Sequence, residues 1–250
     1  MRTLSLNFVD IDNVYVDGSL RFNKPARDVE SIHVPGRDGN LIVDYGAWQN
    51  VIITYPCFMK ADDAATFRNN YNALINRLAG INGYIRLGDS GDAEHYRMAR
   101  PIVPQTPSIK NIEKRAYFDL SFDCKPQNFL RSGESTEGIN AGSSKTLTNP
   151  STQVARPELI VNTDGSNNGG SFDIGGITVT LANVPGNGIV YINCEMMQCY
   201  GQGNVNMNPY VTFSTNDFPT LPAGDTVITV PTVANGGVAR VTVKPRWWEL

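Results

Sequence analysis

Two histidines and four cysteines in 250 residues leave little material for a metal centre or a nucleophilic triad. Cys57, Cys124, Cys194 and Cys199 form no Cys-x-x-Cys pair, and His33 and His95 stand far apart in sequence. Structural zinc needs closer sets of ligands. Reduced, buried thiols are the expectation. Charge is also scarce, at 18% of residues with a net charge of -3. A nucleic-acid-binding surface needs a basic excess, so no specific nucleic acid is expected as a partner. No apolar run approaches the ~20 residues of a membrane helix. The opening MRTLSLNFVDID brings in Asp10 and Asp12 without an apolar h-region, unlike a secretory signal. These absences lead to the expectation of a soluble chain made in a reducing cytoplasm, with no membrane insertion.

What is present points to strands. The chain holds 23 glycines and 15 prolines among many Val, Ile and Thr, the composition of short strands and turns. Residues 51–59, VIITYPCFM, form a β-branched and aromatic run, in which Pro56 suggests an edge or a bulge. One helix is clear. In ADDAATFRNNYNALINRLAG, Phe67, Tyr71, Leu74, Ile75 and Leu78 fall on one face of an α-helix. Asp62 or Asp63 caps its start, and Gly80 sits where a left-handed C-terminal cap is expected. Residues 84–87 and 96–100 read as strands around the turn GDSGDAE. Residues 115–123, RAYFDLSFD, alternate between apolar and polar, the mark of a strand with one buried face.

Residues 131–153 then lose all apolar periodicity and become rich in Ser, Thr, Gly and Asn. Beyond them, short strands follow one another: PELIVN, FDIGGITVTL, IVYINC, YVTFS, DTVITV and VARVTVKPRW. Such spacing without helical period indicates a β-sandwich. The expected organisation is an N-terminal α+β domain over residues 1–130, a linker over 131–149 and a C-terminal sandwich over 150–250. The fold class is mainly β.

The stretch HVPGRDGNLIV at residues 33–43 poses the functional question. A phosphate-binding loop needs Gly-Lys-Ser/Thr leading into a helix, and neither follows Gly36-Arg37-Asp38-Gly39. A hairpin turn, centred on Asp38-Gly39 or Arg37-Asp38, fits better. Asp89, Asp92 and Glu94 alternate as calcium ligands do, but lack the spacing and closing Glu of a calcium loop; a solvated turn is the simpler reading. No Gly-x-Ser-x-Gly occurs; Asp119 and Asp123 lie on a strand's polar face, where spacing alone gives a glycosidase carboxylate pair little weight. No enzyme activity, cofactor or metal is expected. Tyr200, Gln202, Asn204 and Asn206, with Trp247, combine amides and aromatics as sugar-binding surfaces do. Asn in NVNMNP also serves turn geometry, and one of Trp247 and Trp248 is expected in the sandwich core.

The segment IHVPGRDGNLIVDYGAWQNVIITYPCFM resembles the N-terminal signature of the distal tail (Dit) proteins of long-tailed phages and of prophage or tail-like particles. NRLAGINGYIRLGDSGDAEHYRMARPI, YINCEMMQCY, NDFPTLPAGDTVITV and the closing PRWWEL follow in that family's order, so the resemblance spans nearly the whole chain. Arg77 stands where many relatives carry an aromatic beside the position of Leu78, and no long insertion interrupts the second domain, as in the short form without added carbohydrate-binding modules.

The resemblance implies an N-terminal β-sandwich or split barrel with one helix and a protruding hairpin, followed by a galectin-like sandwich. It implies a homohexamer ring at the virion tail tip, made in the bacterial host's cytoplasm. The implied partners are the major tail tube protein, the tail-associated hub or lysin protein, and receptor-binding or side-fibre proteins, with a central channel for DNA. In that setting Pro35, Gly36, Arg37, Asp38 and Gly39 form the tip of an inter-subunit hairpin, with Trp48 near its base. The alternative is a carbohydrate-binding adhesion module that uses the sandwich.

Overall fold

A computed structural model describes every residue except 19–22, 104–110, 113–114, 165–168, 186–187 and 234–236. The chain divides into two compact units, Met1–Asn128 with Leu250, and Phe129–Glu249.

The first unit contains β1 (Arg2–Leu6), β2 (Val9–Val16), β3 (Arg27–His33), β4 (Asn40–Trp48), β5 (Val51–Lys60), α1 (Ala64–Ala79), β6 (Ile85–Asp89), β7 (Asp92–Ile102), β8 (Asn111–Ile112) and most of β9 (Arg115–Leu130). Strands β9, β5, β2, β1, β6 and β7 lie side by side in that order, and β7 pairs back onto β9 to close the sheet into a barrel. Closure removes the open edges that a flat sheet would expose. Alternation sends Ile53, Tyr55, Cys57 and Met59 of β5 inward, with Ala116, Phe118, Leu120, Phe122 and Cys124 of β9. The period-two pattern of 115–123 is therefore a strand as expected, and it runs on to Leu130.

Pro56 departs from expectation, since β5 is central, flanked by β2 and β9. Its position explains the tolerance. Pairing with β2 ends at Val16↔Cys57, and Pro56 contributes only its carbonyl, which accepts from the Asp17 N–H at 2.8 Å. The missing N–H falls where the neighbouring ladder has run out.

Helix α1 starts at Asp63, whose Oδ1 accepts from the Thr66 N–H at 2.8 Å. Phe67, Tyr71, Leu74 and Leu78 form the buried face and Ile75 packs beside them. Tyr71 meets Phe118 edge-on, with ring centroids 5.3 Å apart. Burying each such side chain stabilises by about 1.5–3 kcal/mol. Gly80 ends the helix in the right-handed conformation (φ -75°), not the expected left-handed one. The Ile81 N–H bonds to the Leu78 carbonyl at 3.1 Å, so a tightened last turn satisfies the end without a left-handed residue.

The second unit contains β10 (Glu137–Asn140), β11 (Ser143–Asn149), β12 (Glu158–Thr163), β13 (Gly170–Ile174), β14 (Ile177–Leu181), β15 (Ile189–Asn193), β16 (Gln198–Tyr200), β17 (Val211–Phe213), β18 (Gly224–Val230), β19 (Val238–Lys244) and β20 (Trp248–Glu249). The first ten form two five-stranded antiparallel sheets, β10-β19-β12-β15-β16 and β11-β18-β13-β14-β17, over a core that includes Phe172, Leu159, Ile192, Ile228 and Val241, while β20 pairs with β9. Gly175 and Gly176, both at positive φ, make the tight β13–β14 turn. At the end of β9, the Leu130 N–H donates to the Trp247 carbonyl at 2.9 Å.

Residues 131–149 are not a linker. They hold a short 3₁₀ turn (Arg131–Glu134), β10 and β11, one strand in each sheet. The polar composition that suggested a linker has a local cause. Asn149 and Ser151 are buried, and the Asn149 amide donates to the Gln153 and Leu221 carbonyls at 2.8 and 3.1 Å. Its Oδ1 accepts from the Ser151 N–H at 3.0 Å. The side chains satisfy a buried turn in place of backbone partners.

Candidate functional site

β3 and β4 pair only with each other, as a two-stranded antiparallel sheet apart from the barrel. The register runs His33↔Asn40, Ile32↔Leu41, Ser31↔Ile42 and Glu30↔Val43. Opposite residues share a face, so Ile32, Leu41, Glu30 and Val43 lie on one side. Ser31, Ile42, Val29 and Asp44 lie on the other. Val29, Ile32, Leu41, Ile42 and Tyr45 are all exposed, Ile42 and Tyr45 by 58% each. An isolated hairpin is marginal in water, and this one offers apolar side chains on both sides to solvent.

Its local bonds hold it in shape. The Asn40 amide donates to Ser31 Oγ at 2.8 Å, and the Tyr45 hydroxyl to Glu30 Oε2 at 2.5 Å. That bond to a carboxylate pushes the Tyr45 phenol's pKa up. At the base, Arg27 Nε lies 3.1 and 3.0 Å from the two Asp44 oxygens, and its guanidinium sits 5.0 Å from the Trp48 ring centre. The Gly46 N–H and Arg27 together hold Asp44 below the usual carboxylate range. Gly46, at φ +74°, sits within the register shift near the base.

The tip differs in detail from the expected turn. Residues Val34 to Gly39 form the loop, and the Arg37 N–H bonds back to the Val34 carbonyl at 3.2 Å. The corner is therefore Pro35-Gly36, with Gly36 at φ +80°, not Asp38-Gly39 or Arg37-Asp38. Proline presets φ at the first corner position, and glycine accepts the positive φ of the second, as in a type II turn. Gly39, at φ +76°, makes the second bend back into β4. Arg37 and Asp38 are exposed between these bends. Trp48 is half-buried at the base.

The candidate residues of the second unit do not form a comparable surface. Trp247 is 6% exposed and belongs to the core, so it offers no stacking face. Tyr200 is half-buried and stacks on Tyr191 with centroids 5.3 Å apart and planes within 10°. Gln202, Asn204 and Asn206 are exposed, but Asn206 Oδ1 accepts from the Asn208 N–H at 3.0 Å and Asn204 carries a positive φ of 61°. The Asn206 amide serves the turn. Among the described residues no group of three or more His, Cys, Asp or Glu side chains is placed to hold a metal ion. Asp89 pairs with Arg2, and Asp92 Oδ1 lies 2.7 Å from His95 Nδ1. No helix among the described residues is long and apolar enough to cross a membrane.

Sequence reasoning located the hairpin but not its apolar faces. Leu41-Ile42-Val43 is a consecutive apolar run, which in a strand puts hydrophobic residues on both faces. That run was the available signal.

No family model and no curated protein matches the chain. Solved structures do. Over 97% of this chain and 98% of its own, the crystallised Dit protein of phage SPP1, described as a paradigm of the hub adsorption apparatus in phages infecting Gram-positive bacteria, superposes with a TM-score of 0.66 at 11% identity. A chain of the phage P2 baseplate, solved in its activated conformation with Ca and again with Sr, superposes with a TM-score of 0.53 at 8% identity, over 97% of each chain. The chain has the mainly β fold of phage tail hub and baseplate proteins. More narrowly, it has the Dit-like fold, over 97% of its length.

Proposed function

We propose that this chain is a structural, non-enzymatic hub of a phage, prophage or tail-like-particle tail tip. Copies close into a homohexamer ring, with a channel through which DNA passes. The observation that carries the reading is the β3–β4 hairpin, a self-contained sheet with exposed apolar residues on both faces, in a chain with the Dit-like fold. A strip of this kind needs a cover, and head-to-tail contacts between identical copies close into rings when the rotation closes. Val29 and Ile42 on one face, and Ile32, Leu41 and Tyr45 on the other, supply contact area. Arg37 and Asp38 at the tip supply charge pairs at the rim, and Trp48 anchors the base.

In this reading the tail tube protein meets one side of the ring and the hub or lysin protein meets the other. Receptor-binding or side-fibre proteins dock on the second unit, and the assembly resides at the virion tail tip. The carbohydrate-binding alternative keeps Tyr200, Gln202, Asn204 and Asn206 as surface groups and loses Trp247 to the core. The test replaces residues 35–39 by a two-residue Asn-Gly turn and compares the mass and negative-stain image with those of the parent chain. Rings from the parent alone support the hub reading. Rings of equal abundance from both chains count against the hairpin as the closing element.

A further inference from the structure

Helix α1 and strand β2 leave an open groove between them, with a volume of about 260 Å³. Arg77 lies one turn beyond Ala73 and Leu74, so these three residues share the side of the helix that lines it. Ile11 and Asp12 of β2 face them, with Met59 of β5 below. The floor is apolar, since Ile11, Met59 and Leu74 are core residues. The rim is open to solvent, because Asp12, Ala73 and Arg77 are exposed. Ala73 keeps the space free, as a longer side chain there would fill it.

The rim carries one acid and one base. Among the described residues, neither the Asp12 nor the Arg77 side chain makes a hydrogen bond or an ion pair. The tip of the β3–β4 hairpin carries the same two charges. Arg37 and Asp38 are exposed between the bends at Gly36 and Gly39, and their side chains also lack a partner among the described residues. Pro35 stands exposed beside them as an apolar ring. A turn with two unpaired opposite charges therefore matches a groove with two unpaired opposite charges above an apolar floor. Within one chain the two surfaces stay apart, since β3 and β4 pair only with each other.

We propose that the groove between α1 and β2 receives the hairpin tip of a second copy of this chain. Asp38 pairs with Arg77, Arg37 pairs with Asp12, and the Pro35 ring lies over the apolar floor. The proposal rests on the reading of the hairpin as the element that joins copies, and it names the surface that accepts it. Tip and groove are different surfaces of one chain, so their contact is heterologous, the type that closes into rings. Exposed charge pairs add little affinity but fix register and orientation. They distinguish the groove from the other side of the helix, where Arg68 lies half a turn round from Arg77 with no acid assigned to face the tip.

The test is disulfide trapping between full chains. Cys57, Cys124, Cys194 and Cys199 are buried, so an added surface thiol reports alone. A chain with Asp38→Cys is mixed with a chain carrying Arg77→Cys in oxidised glutathione, and any 38–77 disulfide then joins two copies. Asp38→Cys mixed with Arg68→Cys measures random encounter. The expected result, read by peptide mass spectrometry, is an excess of about ten-fold or more of the 38–77 product over the 38–68 product, because docking raises the effective thiol concentration. A smaller excess, or none, overturns the groove. Imaging of the parent chain separates this failure from that of the wider reading. Rings without a selective 38–77 product overturn the groove alone, and absence of both overturns the groove and the ring together. A selective product without rings supports the groove and counts against closure. Where rings form, Arg77→Glu is expected to abolish them and Asp38→Lys in the same chain to restore them. Undiminished rings in Arg77→Glu overturn the groove.

Discussion

Two antiparallel strand pairs in the first unit use similar residues to opposite ends. β5 and β9 pair from Val51↔Cys124 to Lys60↔Arg115, and the inward row from Ile53 to Met59 meets Phe118, Leu120 and Phe122 in the core. β3 and β4 also carry Val29, Ile32, Leu41, Ile42 and Tyr45, and leave them in water. The first pair spends its hydrophobic surface on folding, so its free energy appears as stability of one chain. The second leaves its surface exposed in the single chain. An apolar residue type does not by itself say which pair is buried; partners in the fold do.

The sharpest way to break this comparison is to truncate one residue in each pair. Phe122 is fully buried, and Phe122→Ala is expected to cost about 3–5 kcal/mol of unfolding free energy in denaturant titration. Ile42→Ser on the hairpin is expected to stay within about 0.5 kcal/mol in the same titration of the dissociated chain. A large loss at Ile42 in a single chain would mean that the hairpin is part of the fold.

The second effect concerns pH. Burial pushes the thiols of Cys57 and Cys124, one on each strand of the buried pair, up to about 12 from an ordinary 9.0. Because the folded pKa is raised, the protonated thiol's contribution is complete below the unfolded pKa. It is lost as pH rises from about 9 towards about 12. Stability should therefore decline across that window, and at pH 8 the buried thiols should react with a thiol reagent only as fast as the chain opens. Rapid native-state labelling of Cys57 or Cys124 would contradict their burial.

Smaller effects sharpen the hairpin's side of the contrast. Tyr45→Phe removes the bond to Glu30 and should leave the thermal midpoint nearly unchanged, as a substitution on an exposed face. Asp63→Ala at the exposed start of α1 should lower the midpoint slightly through loss of the cap to Thr66. The Thr66 bonds lower the pKa of Asp63 in the folded chain. The cap's contribution is thus present above the unfolded carboxylate pKa and fades as pH falls through the folded one. Calorimetric scans of both variants at neutral and acid pH check these directions.

Where one face was buried, the sequence made the structure readable. The alternation of Ala116, Phe118, Leu120 and Phe122 and the helical spacing of Phe67, Tyr71, Leu74 and Leu78 translate directly into the buried rows. The misreadings came where tertiary context supplied partners that a local reading cannot see. Asn149 looked like a linker residue because its buried hydrogen bonds reach Gln153 and distant Leu221. Pro56 looked like an edge because the end of β2's pairing is not written in residues 51–59. At the candidate site, Pro35-Gly36 and Gly39 announced a tip, but exposure of Leu41 and Ile42 is a property of what does not pack against them.

The central claim is that the hairpin joins copies of this chain, and the most direct measurement is mass by light scattering with negative-stain imaging. It would compare the parent chain with the version shortened at residues 35–39, over a wide range of concentration. The expected result is six-fold rings with a central hole from the parent. The shortened chain should remain as single copies with an unchanged melting curve. Single copies of the parent at every concentration, or rings that form equally well without the tip, would contradict the account.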